Sequence, residues 1–217
     1  MTKIAKVAIV GGTHGNEFSG IYAIRQYQAN PALIQRSSFE TSTLFANPEA
    51  FKANKRYLHS DLNRQFKTVD LANPELTNYE QSRAKVINDI LGPKGNAKTD
   101  LVIDLHNTTS NMGACLIMTQ AGPFYNQLAA YVKMKMPEAI ISRDEDHLAA
   151  EDHALMCTLG RYGVIVEVGP QSQSVLRQDV LEQMQQMTAH ILDFVELYNT
   201  QSLPELPKRT EAYLYLH

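Results

Sequence analysis

Five short aliphatic runs, at residues 5–10, 101–105, 115–119, 139–142 and 163–168, are each bounded by glycine, asparagine or charged residues. Runs this short and this continuously apolar suit strands covered on both faces, because a strand with one wet face alternates apolar and polar residues instead. A further run, 41–46, is a weaker strand candidate. Helical patterns lie between them. Tyr79, Arg83, Val86, Ile87, Ile90 and Leu91 fall on one stripe that Gly92-Pro93 closes, as expected where a helix must stop. From Ser174 onward Leu176, Val180, Met184, Met187, Ile191, Phe194, Val195 and Tyr198 repeat at three- and four-residue steps, which predicts an amphipathic helix of roughly seven turns. Strands alternating with helices imply an α/β domain with a mixed, largely parallel central sheet and helices on both faces, its functional loops at the carboxyl ends of the strands. We expect this domain to occupy 1–199, followed over 200–217 by a linker rich in proline and charge and the start of a β segment at Ala212.

Size and charge narrow the possible partners. A chain of 217 residues that is 44% apolar supports one substantial core. With 20 basic against 23 acidic side chains, the net charge of −3 offers no basic stripe for nucleic acid or an anionic membrane, so the expected partner is a small molecule. The first apolar run is too short for a signal-peptide core, and a cytoplasmic protein is expected. Cys115 and Cys157 lie far apart and outside any Cys-x-x-Cys motif, so both read as small buried hydrophobes.

The loop that leaves the first run reads Gly11-Gly12-Thr13-His14-Gly15-Asn16-Glu17, and the second run ends on His106. His14, Glu17 and His106 make a two-histidine, one-carboxylate set, the ligand inventory of a catalytic zinc that keeps one position open for water. A dinucleotide-binding turn is excluded by spacing, since Gly11, Gly12 and Gly15 do not form Gly-x-Gly-x-x-Gly and the next acid after Glu17 is Glu40. Asp104 stands two residues before His106 on the same side of the strand, placed to support a ligating imidazole from behind. Glu167 interrupts the apolar Val164-Ile165-Val166 and Val168, where a carboxylate is costly to bury unless it serves as a base beside the metal. The aperiodic stretch from Arg56 to Arg64 supplies two guanidinium groups and the Asn63 amide, a donor set suited to carboxylates and developing oxyanions.

Taken in order, the motif around His14, then Asp61-Leu62-Asn63-Arg64, then Asp104-Leu105-His106-Asn107-Thr108-Thr109-Ser110-Asn111-Met112-Gly113, then Glu167-Val168-Gly169-Pro170, strongly resemble the aspartoacylases. These form part of the succinylglutamate desuccinylase/aspartoacylase branch of the zinc-carboxypeptidase-like fold, and the resemblance runs from residue 6 to about 199. It implies one zinc per chain held by His14, Glu17 and His106, with Glu167 as catalytic acid/base. It further implies that Arg56 polarises the scissile carbonyl, that Asn63 and Arg64 engage a substrate carboxylate, and that the substrate is an N-acyl amino acid, N-acetyl-L-aspartate first. A homo-oligomer is also expected from it.

Two departures bear on the substrate. Family members carry a Tyr and an Arg, four residues apart, upstream of the catalytic Glu; counting back from Glu167 puts His153 and Cys157 there. Either Arg161 or Arg143 supplies the missing cation, or an acidic substrate is held more weakly, or the substrate differs. The neighbouring acidic stretch, Asp144 to His147 and Glu151 to His153, reads as a solvated loop. The family's C-terminal β domain, which caps the active-site channel and lends it a tyrosine, is mostly absent here, and neither Tyr213 nor Tyr215 can be assigned to that residue. The alternatives in competition are a deacylase of other N-acyl amino acids, aromatic ones included, a desuccinylase-like enzyme, and a zinc-binding module without activity.

Overall fold

The computed structural model describes residues 2–144 and 148–214. Six strands fall within two residues of the aliphatic runs: β1 (Lys6–Gly11), β2 (Glu40–Phe45), β3 (Leu101–Asn107), β4 (Gly113–Met118), β5 (Ile140–Arg143) and β6 (Tyr162–Gly169). A seventh, β7 (Tyr213–Leu214), adds to the edge of β5, giving one sheet in the order β2-β1-β3-β6-β4-β5-β7. Strands β2, β1, β3 and β6 are mutually parallel. The direction reverses at β4, which pairs antiparallel with β6 and parallel with β5.

Helices α1 (Phe18–Ala29), α5 (Pro123–Lys135) and α6 (Gln178–Asn199) cover one face, and α4 (Tyr79–Leu91) covers the other. Two single-turn helices, α2 (Pro48–Lys52) and α3 (Thr68–Ala72), lie in the connections. Period-two alternation sorts the strands between two cores. Val7, Ile9, Leu101, Ile103, Leu105, Val164, Val166 and Val168 face α1, α5 and α6. Ala8, Val10, Val102 and Ile165 face α4, and by the same alternation so do Asp104, His106 and Glu167. Among the described residues no helix is long and apolar enough to cross a membrane.

Two helical expectations need correction. The buried line of α4 is Glu80, Ala84, Ile87 and Leu91. Val86 and Ile90 instead point outward at 46% and 49% exposure, because a stripe centred on Ile87 at four-residue steps leaves them on the far side. Helix α6 begins at Gln178, not Ser174: Ser174 adopts a left-handed backbone and its N–H is held by Asn16, so Leu176 stays outside the helix. The remaining expected positions, Val180 through Tyr198, are all buried. Both cysteines are buried and neither is in a disulfide, as expected. In the 200–209 stretch Leu203 and Leu206 pack on the core.

The feature of this fold that places the site is the closeness of α1 to the sheet. A Cβ on Gly20 would meet the Leu105 carbonyl oxygen at 2.6 Å, and one on Gly11 would meet the Gly20 carbonyl oxygen at 2.3 Å. Helix α1 therefore lies backbone against backbone on β1 and β3, which brings its N-terminal Glu17 beside the end of β3. The helix start is capped from the sheet, with Asn107 Oδ1 accepting the Ser19 N–H at 3.1 Å. In an ordinary helix interior Gly→Ala stabilises by up to about 1 kcal/mol. Gly20→Ala should instead destabilise by about 1–3 kcal/mol, the overpacking range, read as a lower urea midpoint at unchanged slope.

Candidate active site

Glu17 is the centre of the site. It is 3% exposed and its two carboxylate oxygens face different imidazoles, Oε1 at 2.7 Å from His14 Nδ1 and Oε2 at 2.9 Å from His106 Nδ1. The backbone N–H of Asn107 also donates to Oε2 at 3.3 Å. Burial alone would raise this carboxyl, but the imidazoles of His106 and His14 draw it down to about 2. The rings meet edge to face with centroids 4.9 Å apart. One donor atom each from His14, Glu17 and His106 lies within 4.8 Å of the others, the arrangement a single metal ion needs; among the described residues no other His, Cys, Asp or Glu group is so placed.

The opposite ring nitrogen of each histidine meets a second carboxylate. His14 Nε2 is hydrogen bonded to Asp61 Oδ1 at 2.9 Å. His106 Nε2 lies 2.8 Å from Asp104 Oδ2, an ion-pair contact off the line of a straight hydrogen bond. Asp104 is fully buried, and its Oδ1 accepts from the Thr13 hydroxyl at 2.7 Å. Both Nε2 atoms are thus engaged from behind and both Nδ1 atoms are turned inward, the orientation that ligating histidines require. In the absence of a cation both imidazoles are drawn toward protonation. For each, burial opposes the charge, but Asp61 and Glu17 outweigh it at His14 and Asp104 and Glu17 outweigh it at His106. A buried cluster that holds its own protons in this way suits a cation in their place.

Glu167 is the cross-strand partner of His106 in the β3–β6 register and of Cys115 in the β4–β6 register. The alternation sets its side chain on the same face as His106. Burial pushes its carboxyl up to about 7; the carboxylates of Glu17 and Asp104 add to the rise, and His106 and His14 oppose it. A carboxyl held near ambient pH is matched to proton transfer in both directions.

Arg56 stands at the rim, 44% exposed, with Nη1 3.1 Å from Glu17 Oε1 and Nη2 3.2 Å from Asp61 Oδ2. Asp61 also caps the 3₁₀ turn Leu62–Arg64, accepting from the Asn63 N–H. Asn63 is buried and its Oδ1 accepts the Met156 N–H at 2.7 Å, which leaves Nδ2 for other partners. Arg64 is exposed and spends one N–H on the Asn63 carbonyl. The fold thus gathers His14, Glu17, Arg56, Asp61 and His106 in one contact network, with Glu167 one strand away.

The region before Glu167 corrects one expectation. Arg161 precedes β6 at its N-terminal end, paired with Asp100 at 3.1 Å and stacked on the Tyr162 ring. Six residues of extended strand, at about 3.3 Å each, separate it from Glu167. Arg143 ends β5, level with Met118 and, through β4, with Val164. Because β4 and β5 run against β6, both arginines leave the sheet at the end away from His14 and His106, so neither strand end delivers a guanidinium there. His153 and Cys157 are buried, Cys157 in a 3₁₀ turn that packs on the α4 face. Of the acidic stretch, Glu145, Asp146 and His147 lie outside the described residues, and Glu151 and Asp152 are exposed. Sequence reasoning missed Asp61, whose signal was a lone acid opening the Asp-Leu-Asn-Arg motif, and Thr13, which carried none.

The sequence profile of the succinylglutamate desuccinylase/aspartoacylase catalytic domain matches residues 3–195. A probable aspartoacylase of Trichodesmium erythraeum is 42% identical over all of this chain and 73% of its own length. The N-acyl-aromatic-L-amino acid amidohydrolase of Rattus norvegicus is 40% identical over 90% of this chain; the match spans 63% of that enzyme. The crystal structure of murine aminoacylase 3 superposes with a TM-score of 0.85 at 38% identity, covering 92% of this chain and 67% of that one. The chain belongs to the succinylglutamate desuccinylase/aspartoacylase family of amide-bond hydrolases.

Proposed function

We propose that the chain is a cytoplasmic, zinc-dependent amidohydrolase that deacylates N-acyl amino acids, with N-acetyl-L-aspartate, cleaved to L-aspartate and acetate, as its main substrate. The observation that carries this reading is the convergence of His14 Nδ1, His106 Nδ1 and the Glu17 carboxylate beside the raised carboxyl of Glu167. His14, Glu17 and His106 would hold the ion. When bound, zinc lowers the pKa of water to roughly 7 and polarises a carbonyl oxygen. Glu167 takes a proton from the attacking water and returns it to the amine nitrogen as the amide C–N bond breaks. Arg56 faces the negative charge that grows on the carbonyl oxygen, and Asn63 Nδ2 with Arg64 anchors the substrate carboxylate. A second reading, an N-acyl-aromatic amino acid substrate, is favoured by Cys157 standing where a guanidinium would pair with an acidic side chain, and by the likeness to the rat amidohydrolase. An N-succinyl substrate is the remaining variant.

Purified under zinc-replete conditions, the chain should carry about one zinc ion, and His106→Ala should weaken metal binding by at least about 100-fold, since losing a group that merely supports a ligand already costs about 10–100-fold. Inactive metal-free wild type that regains turnover with zinc supports the reading; full activity after exhaustive chelation overturns it. Glu167→Gln should keep the zinc and lower kcat by about 10²–10⁴-fold. In the wild type kcat/KM should fall as pH drops through an ionisation at or below 7, because the base must be ionised and a neighbouring cation draws its carboxyl down. Without metal, the folded state binds this proton more tightly than the unfolded chain does, so stability is lost as pH rises from about 4.5 to 7. Glu167→Gln should therefore raise the stability of the metal-free protein at pH 8, by at most about 3 kcal/mol, and leave it unchanged at pH 4. Finally, kcat/KM measured on N-acetyl-L-aspartate, N-acetyl-L-tyrosine and N-succinyl-L-glutamate separates the substrate readings: the first should rank highest, and a lead for the second transfers the assignment to aromatic substrates.

A further inference from the structure

Glu80, in the first turn of α4, is fully buried and is the one acid on that helix's buried line. Its carboxylate is filled with donors. Oε1 accepts the Leu58 N–H at 2.7 Å and the Asn47 side-chain amide at 3.4 Å; Oε2 accepts the His59 N–H at 3.0 Å and the Ser60 N–H at 3.3 Å. The His59 ring stands 3.7 Å away. Burial alone would raise this carboxyl, and the amides of Leu58, His59, Ser60 and Asn47 hold it below its ordinary value. Three successive backbone N–H groups around an anion form the kind of concavity that binds phosphate in other proteins. Here the protein supplies the anion itself.

The segment so held has no helix or strand of its own, and it links Arg56 to Asp61. At its near end the Arg56 carbonyl oxygen accepts the Gly15 N–H at 3.0 Å, and at its far end Asp61 caps the 3₁₀ turn. Between those ties, Glu80 fixes the path at three backbone N–H groups, and the Ser60 hydroxyl adds one bond to Asn78 Oδ1 at 3.2 Å. Glutamine in its place would keep one acceptor oxygen and turn an NH2 group toward backbone N–H donors, so part of the clamp becomes repulsive. Glu17 and His106 take their positions from α1 and β3, and His14, in the loop after β1, meets the clamped segment only at its ends, through Asp61 and through Gly15 to Arg56, so zinc should stay bound without the clamp, though less tightly.

We propose that Glu80 is a positioning residue that, by clamping the Leu58–Ser60 amides, holds Arg56 against Glu17 and Asp61 against His14, and so sets the guanidinium for amide hydrolysis. The inference rests on the proposed role of Arg56. The test uses zinc-loaded full chain, with Glu80→Gln, Glu80→Asp, Arg56→Ala and the Glu80→Gln/Arg56→Ala double variant. Steady-state kinetics are read beside amide hydrogen exchange over residues 56–61. Glu80→Gln should lower kcat about 10–100-fold with KM changed far less, keep one zinc per chain, and release the protected amides of residues 58–60. Glu80→Asp, which retains the charge but reaches less far, should lose less and serves if the glutamine variant does not fold. In the Arg56→Ala background the effect of Glu80→Gln on kcat should nearly vanish, the non-additivity expected of two residues acting as one unit. A merely structural role predicts multiplicative losses, and that result overturns the proposal, as does unchanged exchange at residues 58–60. If Arg56→Ala leaves kcat intact while exchange at those amides rises in Glu80→Gln, the clamp stands and it is the role of Arg56 that falls.

Discussion

Glu17 is a negative charge withdrawn from water, and the catalytic end of the molecule is arranged around that fact. An isolated carboxylate in such a place costs several kcal/mol. Here His14 and His106 lie against its two oxygens and Arg56 approaches from the rim. Each partner is in turn fixed by another acid, Asp61 or Asp104. The result is a closed set of charges in which every acid faces an imidazole and two of the three, Glu17 and Asp61, also face Arg56. Protons on the imidazoles balance it when no cation is present, so a divalent ion bound in the same space would displace them.

The sheet divides labour between its faces. Toward α1, α5 and α6 the strands present mainly aliphatic side chains, together with Met118 and Tyr162, and Asn107 at the end of β3 caps α1. On the α4 side the same strands change character at their carboxyl ends, from Val102 to Asp104 and His106, and from Ile165 to Glu167. Because β3 and β6 are neighbours in register, the Glu167 carboxyl and one imidazole stand side by side as a property of strand pairing, with no loop required. Only the other half of the site, His14 and the Arg56–Arg64 segment, depends on loops, and those loops are the ones tied by Glu17, Gly15 and Glu80.

The strands and the three converging ligand residues were legible in the sequence because aliphatic runs, strand ends and the His-x-x-Glu spacing are local signals. Glu167 stood out locally as a carboxylate in an apolar strand and the Arg56–Arg64 stretch as a pair of guanidinium groups, and the resemblance added which of those groups is expected to face the carbonyl and which the substrate carboxylate. Helix α1 escaped because it buries Ser19, Gly20 and Ala23, small residues that leave little apolar periodicity. Asp61 and Glu80 escaped for another reason: an acid opening a turn and an acid in a helix's first turn are ordinary in sequence, and their weight comes from partners 47 residues away at His14 and about twenty away at Leu58 to Ser60. The extra turn expected of α6 failed because the tie from Ser174 to Asn16 is tertiary.

The reversal of direction at β4 has a further consequence. Strands β4 and β5 leave the sheet at the end remote from His14 and His106, and on its way back to β6 the chain packs Leu155, Met156, Cys157 and Leu159 on the α4 face. On the way it passes the Asn63 turn, where Met156 binds Asn63, and Phe66, which binds Ala154. This returning stretch packs directly on the strands: Cys157 and Leu159 share the α4-side core with Val102 of β3 and Ile165 of β6, and a Cβ on Gly163 would meet the Cys157 carbonyl oxygen at 2.2 Å. Because β6 also carries Glu167, a change of bulk at Cys157 must be absorbed by the strand that holds that carboxyl, and the two spans vary together rather than apart.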